Sequence, residues 1–136
     1  AFRNPRATVT AVIIKDGKML FAKRTEDPFK GGWDLIGGYM SENEMPEEAL
    51  RREIQEELGV DASFRFLDFF PGSASWKDRT FPILSLAYIT ELISNDFKTN
   101  EEIGELRWFG KDELPTEVAF DSNSVIVDYV KKRGII

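Results

Sequence analysis

Three carboxylates come first. Glu53, Glu56 and Glu57 fall at i, i+3 and i+4, a spacing that puts them within one turn on one face of a helix. Exposed like charges this close repel by roughly a few tenths of a kcal/mol per pair, so a cation among them is favoured. Carboxylate oxygens select hard divalent ions such as Mg²⁺, Mn²⁺ or Ca²⁺. Taken alone, the segment reads more simply as a solvated acidic face, with Arg52 and Glu56 as an ordinary i,i+4 pair.

Composition closes other routes. The 136 residues include no Cys and no His. That excludes disulfides, thiolate nucleophiles, Ser-His-Asp and Cys-His catalysis, and zinc or iron–sulfur sites built on those side chains. A net charge of −6 argues against a nucleic-acid polymer or an anionic membrane as partner. The charge is uneven, with seven Lys/Arg against three Asp/Glu in residues 1–30 and seven Glu against two Arg in residues 41–60. A basic segment beside a glutamate-dense one suits a metal ion that bridges carboxylates to a phosphate. No apolar run is long enough for a signal peptide or a membrane span, so the expected setting is cytoplasmic.

These groups must be held by a scaffold, and its elements can be read. The β-branched run 7–14, the turn dipeptide Asp16-Gly17 and the run 19–22 predict a hairpin. Residues 28–38, punctuated by Gly31-Gly32 and Gly37-Gly38, read as loop. Residues 46–58 predict a helix. Pro46 fits its first position, Ala49, Leu50, Ile54 and Leu58 form its buried stripe, and Gly59 stops it. Met45 is a poor N-cap, at a cost of roughly 1 kcal/mol. Further strands are expected at 63–70, 80–92 and 106–109. A second helix is expected at 122–133, with Val125, Ile126, Tyr129 and Val130 inward. Strands interleaved with two helices point to an α/β or α+β fold, and with no linker or repeat the whole of 1–136 reads as one domain.

Reading outward from the carboxylates gives Gly38, five residues, Glu44, seven residues, then Arg52-Glu53-Ile54-Gln55-Glu56-Glu57-Leu58-Gly59-Val60. Every specified position of the Nudix box, G-x5-E-x7-R-E-U-x-E-E-x-G-U with U apolar, is filled. The seven fixed letters alone coincide by chance at roughly one in 10⁸ per starting position. The sequence resembles the Nudix hydrolase superfamily. The lead-in Trp33-Asp34-Leu35-Ile36-Gly37-Gly38 and the trailing Arg107-Trp108-Phe109 and Asp112-Glu113-Leu114-Pro115 extend the likeness over most of residues 6–133. Ile36 departs from the proline usual before the two glycines.

The resemblance implies an α/β/α sandwich with a mixed sheet and a loop–helix–loop box that holds Mg²⁺ or Mn²⁺. The implied reaction is hydrolysis of a nucleoside diphosphate linked to a group X, by water attack on phosphorus. Glu56 and Glu57 are then the leading metal ligands, with Glu53 as a third. Arg52 orients them and Glu44 braces Arg52. Gly37 and Gly38 let backbone approach metal and phosphate. The general base falls outside the box, with Glu102 first among Glu101, Glu102 and Glu105. Arg24 is a candidate phosphate contact.

Base recognition is the family's variable part. Phe29, Trp33, Phe70, Trp76, Phe81 and Phe120 are candidates for stacking on a base. The runs around Trp33 and Phe120 look more like the ADP-ribose and NADH pyrophosphatase branch than the 8-oxo-dGTP branch. The expected partner is a small nucleotide, with no nucleic-acid polymer and no membrane; a homodimer is compatible with the sequence. The alternatives are a nucleoside triphosphate pyrophosphatase and a non-catalytic nucleotide-sensing module, though such modules typically lose the box glutamates that are kept here.

Overall fold

The computed structural model describes residues 3–136. Its sheet grows from β1 (Arg6–Lys15), whose side chains alternate between two buried layers. Val9, Ala11 and Ile13 enter one layer and Val12 the other, as period-two geometry requires of a strand covered on both faces. Asp16 and Gly17 take φ of 52° and 74°, the two-residue turn expected of Asp-Gly. The chain returns as β2 (Lys18–Arg24), but pairs with β1 only next to the turn, at Ile14↔Met19 and Lys15↔Lys18.

Beyond that point the two strands take different partners. Residues 28–38, expected to be loop, contain β3 (Trp33–Asp34) and the start of β4 (Ile36–Tyr39). β3 pairs with β2, and β4 pairs with β1 through Val9↔Gly38 and Thr10↔Gly37. Strands of two and four residues, one of them half glycine, are too short to show alternation. β5 (Ala62–Trp76) and β6 (Arg79–Leu92) form a long antiparallel hairpin. β6 runs parallel to β1, and β7 (Ile103–Gly110) runs antiparallel to β2, so the sheet is mixed.

One helix covers each face, giving the expected α/β/α arrangement. α1 (Pro46–Leu58) buries Ala49, Leu50, Ile54 and Leu58. It begins at Met45 without a side-chain cap and ends at Gly59, whose φ of 69° is left-handed and whose N–H returns to the carbonyls of Ile54 and Gln55. α2 (Asp121–Lys132) packs on the opposite face with Phe21, Phe70 and Phe109. Its buried stripe includes Asn123, Ile126, Val127 and Val130, while Val125, expected inward, is 49% exposed. Val125 lies two residues from both Asn123 and Val127, on the opposite side of a helix that turns about 100° per residue. Among the described residues no helix is long and apolar enough to cross a membrane.

Candidate active site

α1 presents its acidic turn beside β4. Arg52 is the hub. Its Nε donates to Glu44 Oε2 at 2.8 Å and its Nη2 to Glu44 Oε1 at 3.1 Å and to the Tyr39 carbonyl at 3.1 Å. Its Nη1 donates to Glu53 Oε1 at 2.9 Å, and reaches Glu56 Oε2 at 3.5 Å. Glu44 also accepts from the Ser41 N–H at 2.9 Å. These bonds hold the Glu44 carboxyl down at about 2, chiefly through Arg52. The expected bracing of Arg52 by Glu44 is thus present as a two-bond fork.

Glu53 and Glu57 point into a cleft of about 780 Å³, and Glu102 joins them on its wall. Burial raises the Glu53 pKa, opposed by Arg52 and aided by Glu56 and Glu102. Burial pushes Glu57 up to about 9, with further upward pressure from Glu53, Asp34 and Glu102; only the Gly37 N–H pulls it down. Glu57 Oε2 is buried without a hydrogen-bond partner, which is costly for a carboxyl group. Glu56 lies outside the cleft wall, half-exposed beside Arg52. The two carboxylates leading inward are therefore Glu53 and Glu57, a different order from the expected Glu56 and Glu57.

The glycines serve two distinct ends. A Cβ on Gly38 would meet Glu53 Oε1 at 2.5 Å, so the carboxylate occupies the space a side chain would fill. A Cβ on Gly37 would meet the Val9 carbonyl at 2.1 Å, so Gly37 is required by the β1–β4 pairing as well as by its contact with Glu57.

A divalent ion fits these residues. The donors are all oxygen, Glu57 Oε2 is buried with no partner, and Glu53, Asp34 and Glu102 press on Glu57 with like charge. Among the described residues no three acidic side chains form a ready-made cage.

Glu102 was not fixed by any local spacing. The β2–β7 ladder brings it in through Arg24↔Ile103, and Thr25 Oγ1 donates to the Glu101 and Glu102 carbonyls at 3.1 and 3.2 Å. Glu105 is turned to Arg107, with the Nη2 of Arg107 at 2.7 Å, and does not line the cleft. Arg24 does. Its Nη1 donates to Asp34 Oδ2 at 2.8 Å, its Nε to the Pro28 carbonyl at 2.6 Å, and its guanidinium lies 5.0 Å from the Phe120 ring centre.

Of the aromatic candidates, Trp76, Phe81 and Phe120 line the cleft. Trp33 does not. Its ring packs edge-on against Phe109 beneath Lys23 and Arg107. Phe70 is buried in the α2 core. Phe29 stands behind Phe120, edge to face at 5.0 Å, rather than on the cleft wall. Among the polar cleft residues that the sequence did not mark as site groups are Asp34 and Asn123. They meet in the cleft across 89 positions of sequence, Asn123 Nδ2 donating to Asp34 Oδ1 at 2.8 Å. Burial raises the Asp34 pKa, and Arg24 is the main opposing influence.

A mixed sheet between two helices, with a box helix turning glutamates into a nucleotide-sized cleft, defines a pyrophosphohydrolase of the Nudix class. Residues 4–129 match the NUDIX domain, and the chain belongs to that family of phosphoric-anhydride hydrolases. It is 33% identical over 130 residues to the ADP-ribose pyrophosphatase of Methanocaldococcus jannaschii, covering 96% of this chain and 76% of that one. It is 30% identical over 141 residues to the nucleoside triphosphatase NudI of Escherichia coli O81 (strain ED1a), covering 96% and 98%. The MutT NUDIX hydrolase from Burkholderia pseudomallei superposes with a TM-score of 0.81 at 28% identity, covering 93% and 98%.

Proposed function

We propose that this enzyme hydrolyses a nucleoside diphosphate linked to a further group, with ADP-ribose the first compound to try and NADH the second. The observation that carries the proposal is one cleft with two chemistries. Glu53, Glu57 and Glu102 form an acidic wall, and Trp76, Phe81 and Phe120 form an aromatic one. At about 780 Å³ the space lies within the range of small-molecule and cofactor sites. Glu53 and Glu57 would hold Mg²⁺ or Mn²⁺, with Glu56 closing the set from the solvent side. Such ions draw charge off a pyrophosphate and lower the pKa of water. Glu102, exposed at the mouth, accepts the proton of the attacking water. Arg52, locked by Glu44, keeps Glu53 in place. Arg24 offers positive charge to the diphosphate from the β2 side. Residues 1–136 act as one catalytic unit, in a cytoplasmic setting where nucleotides and Mg²⁺ meet.

Nucleoside triphosphates are the second reading, supported by the full-length likeness to NudI. The box glutamates act on the anhydride in either case, so base and X group are chosen elsewhere. Product analysis separates the two. ADP-ribose yields AMP and ribose 5-phosphate, whereas a triphosphate yields a monophosphate and pyrophosphate. A kcat/KM for some triphosphate about a hundredfold above that of every diphosphate-linked compound, near 3 kcal/mol, would overturn the first reading.

A further inference from the structure

One side chain ties Glu102 to the glutamates of α1. Asn100 Nδ2 donates to the Glu56 carbonyl at 3.0 Å, and Asn100 Oδ1 accepts from the Glu102 N–H at 2.9 Å. The Glu56 carbonyl belongs to the peptide that joins Glu56 to Glu57. We infer that Asn100 is a positioning residue, which sets Glu102 at a fixed distance from the acidic turn of α1 and so governs the rate of the hydrolytic step. The inference rests on the reading of Glu102 as the group that takes the proton of the attacking water.

The polarity of the bridge is determined by its two ends. A carbonyl only accepts and a backbone N–H only donates. Turning the amide over would set its nitrogen against the Glu102 N–H and its oxygen against the Glu56 carbonyl, so one orientation satisfies both. Glu56 stands in the last turn of α1, where carbonyls lack partners inside the helix. The Gly59 N–H returns to Ile54 and Gln55, and the Lys98 N–H serves the Leu58 carbonyl at 2.8 Å. Asn100 serves the Glu56 carbonyl between them. The segment sits closely on the helix end, since a Cβ on Gly59 would meet Lys98 Cβ at 2.9 Å.

The other ties of Glu102 lead to β2. Thr25 Oγ1 lies 3.1 and 3.2 Å from the Glu101 and Glu102 carbonyls, and a hydroxyl has one hydrogen for the two. The next residue, Ile103, pairs with Arg24. Among the described residues Asn100 is the one side chain that hydrogen-bonds both Glu102 and α1. A general base works only within hydrogen-bond reach of the proton it takes, and a misplacement of about 1 Å can cost on the order of 10²-fold. The bridge is exposed, so its loss is expected at the low end of the range for groups that orient a site, about tenfold.

A kinetic cycle tests the inference, with Mg²⁺ and ADP-ribose, or a triphosphate if that is cleaved better. Asn100→Ala should lower kcat about tenfold with KM within twofold, and should leave the Mn²⁺ Kd, followed by electron paramagnetic resonance, within threefold. Placed on Glu102→Gln it should lower kcat by less than a further twofold, because the group it positions is already gone. Asn100→Asp keeps the local turn to the Glu102 N–H but has no hydrogen for the Glu56 carbonyl, and should also lose at least threefold in kcat. The inference is overturned by a loss below threefold in Asn100→Ala, by wild-type kcat in Asn100→Asp, or by a Mn²⁺ Kd shifted beyond threefold, which would make Asn100 a support of the metal turn alone. Should Asn100→Ala not fold, Asn100→Asp decides by the same cycle. If Glu102→Gln lowers kcat and the Asn100 substitution costs as much again on top of it, the inference fails alone. If Glu102→Gln keeps wild-type kcat, the reading of Glu102 fails and the inference with it.

Discussion

Arg52 grips Glu44 through two parallel hydrogen bonds, at 2.8 and 3.1 Å, while its remaining nitrogen holds Glu53 at 2.9 Å. The loop residue thus fixes the arginine, and the arginine fixes the carboxylate that faces the cleft. Removing a group that orients a metal ligand typically costs 10–100-fold in activity or affinity. Arg52→Ala should lower kcat by about that factor while Mn²⁺ binding, followed by electron paramagnetic resonance, persists. Complete loss of Mn²⁺ binding would make Arg52 part of the fold rather than an orienting group.

The same pair sets an acid limit. The Glu44 carboxyl lies at about 2 in the folded protein against an ordinary 4.5. Its contribution to stability is complete above the ordinary value and is lost as pH falls through the folded one. Acid unfolding of Glu44→Gln should therefore lie closer to the wild-type curve below pH 3 than at pH 6. A constant gap between the two curves contradicts the linkage.

Glu57 behaves in the opposite sense. Its folded pKa of about 9 exceeds the ordinary 4.5, so the metal-free folded state binds more protons and loses stability as pH rises between those values. In chelator, Tm should fall from pH 5 to pH 9, and Glu57→Gln should flatten that slope. The same substitution should reduce kcat by at least about 10²–10³, as expected when a ligand to a catalytic metal is lost. Wild-type turnover in Glu57→Gln would leave the buried carboxyl without a catalytic role.

Two neighbouring glycines should fail differently. The Cβ of Gly38→Ala meets the end of the Glu53 side chain, which can move, whereas that of Gly37→Ala meets the Val9 carbonyl. Gly38→Ala should melt near wild type and lose activity. Gly37→Ala should lose stability by roughly 1–3 kcal/mol. Equal Tm losses would remove the distinction.

What the sequence showed and hid follows from the range of the interactions. α1 was legible to the residue because Pro46, the apolar stripe and Gly59 all act within a few positions. The box placed Glu53, Glu57, Arg52 and Glu44 because their spacing is local. β3 and β4 were hidden by their brevity. Asn123 looked like an ordinary polar position on α2, since its partner Asp34 lies across the fold. Trp33 misled because an aromatic beside a glycine pair reads the same whether it stacks on ligand or on Phe109.

Glu102 and Glu105 offer a direct contrast on β7 and its approach. Glu102 lines the cleft and Glu105 is paired with Arg107. Glu102→Gln should cut kcat by about 10²–10⁴, the range for a general base. Glu105→Gln should leave kcat unchanged. If the two variants exchange these behaviours, the base is misassigned.

The central claim is that carboxylates on α1 and beside β7 support divalent-ion-dependent cleavage of a diphosphate linked to X. The most direct measurement is chromatographic product analysis of ADP-ribose turnover, in Mg²⁺ and in excess EDTA. AMP and ribose 5-phosphate are expected with Mg²⁺, and no turnover with EDTA. Undiminished cleavage in EDTA would contradict it.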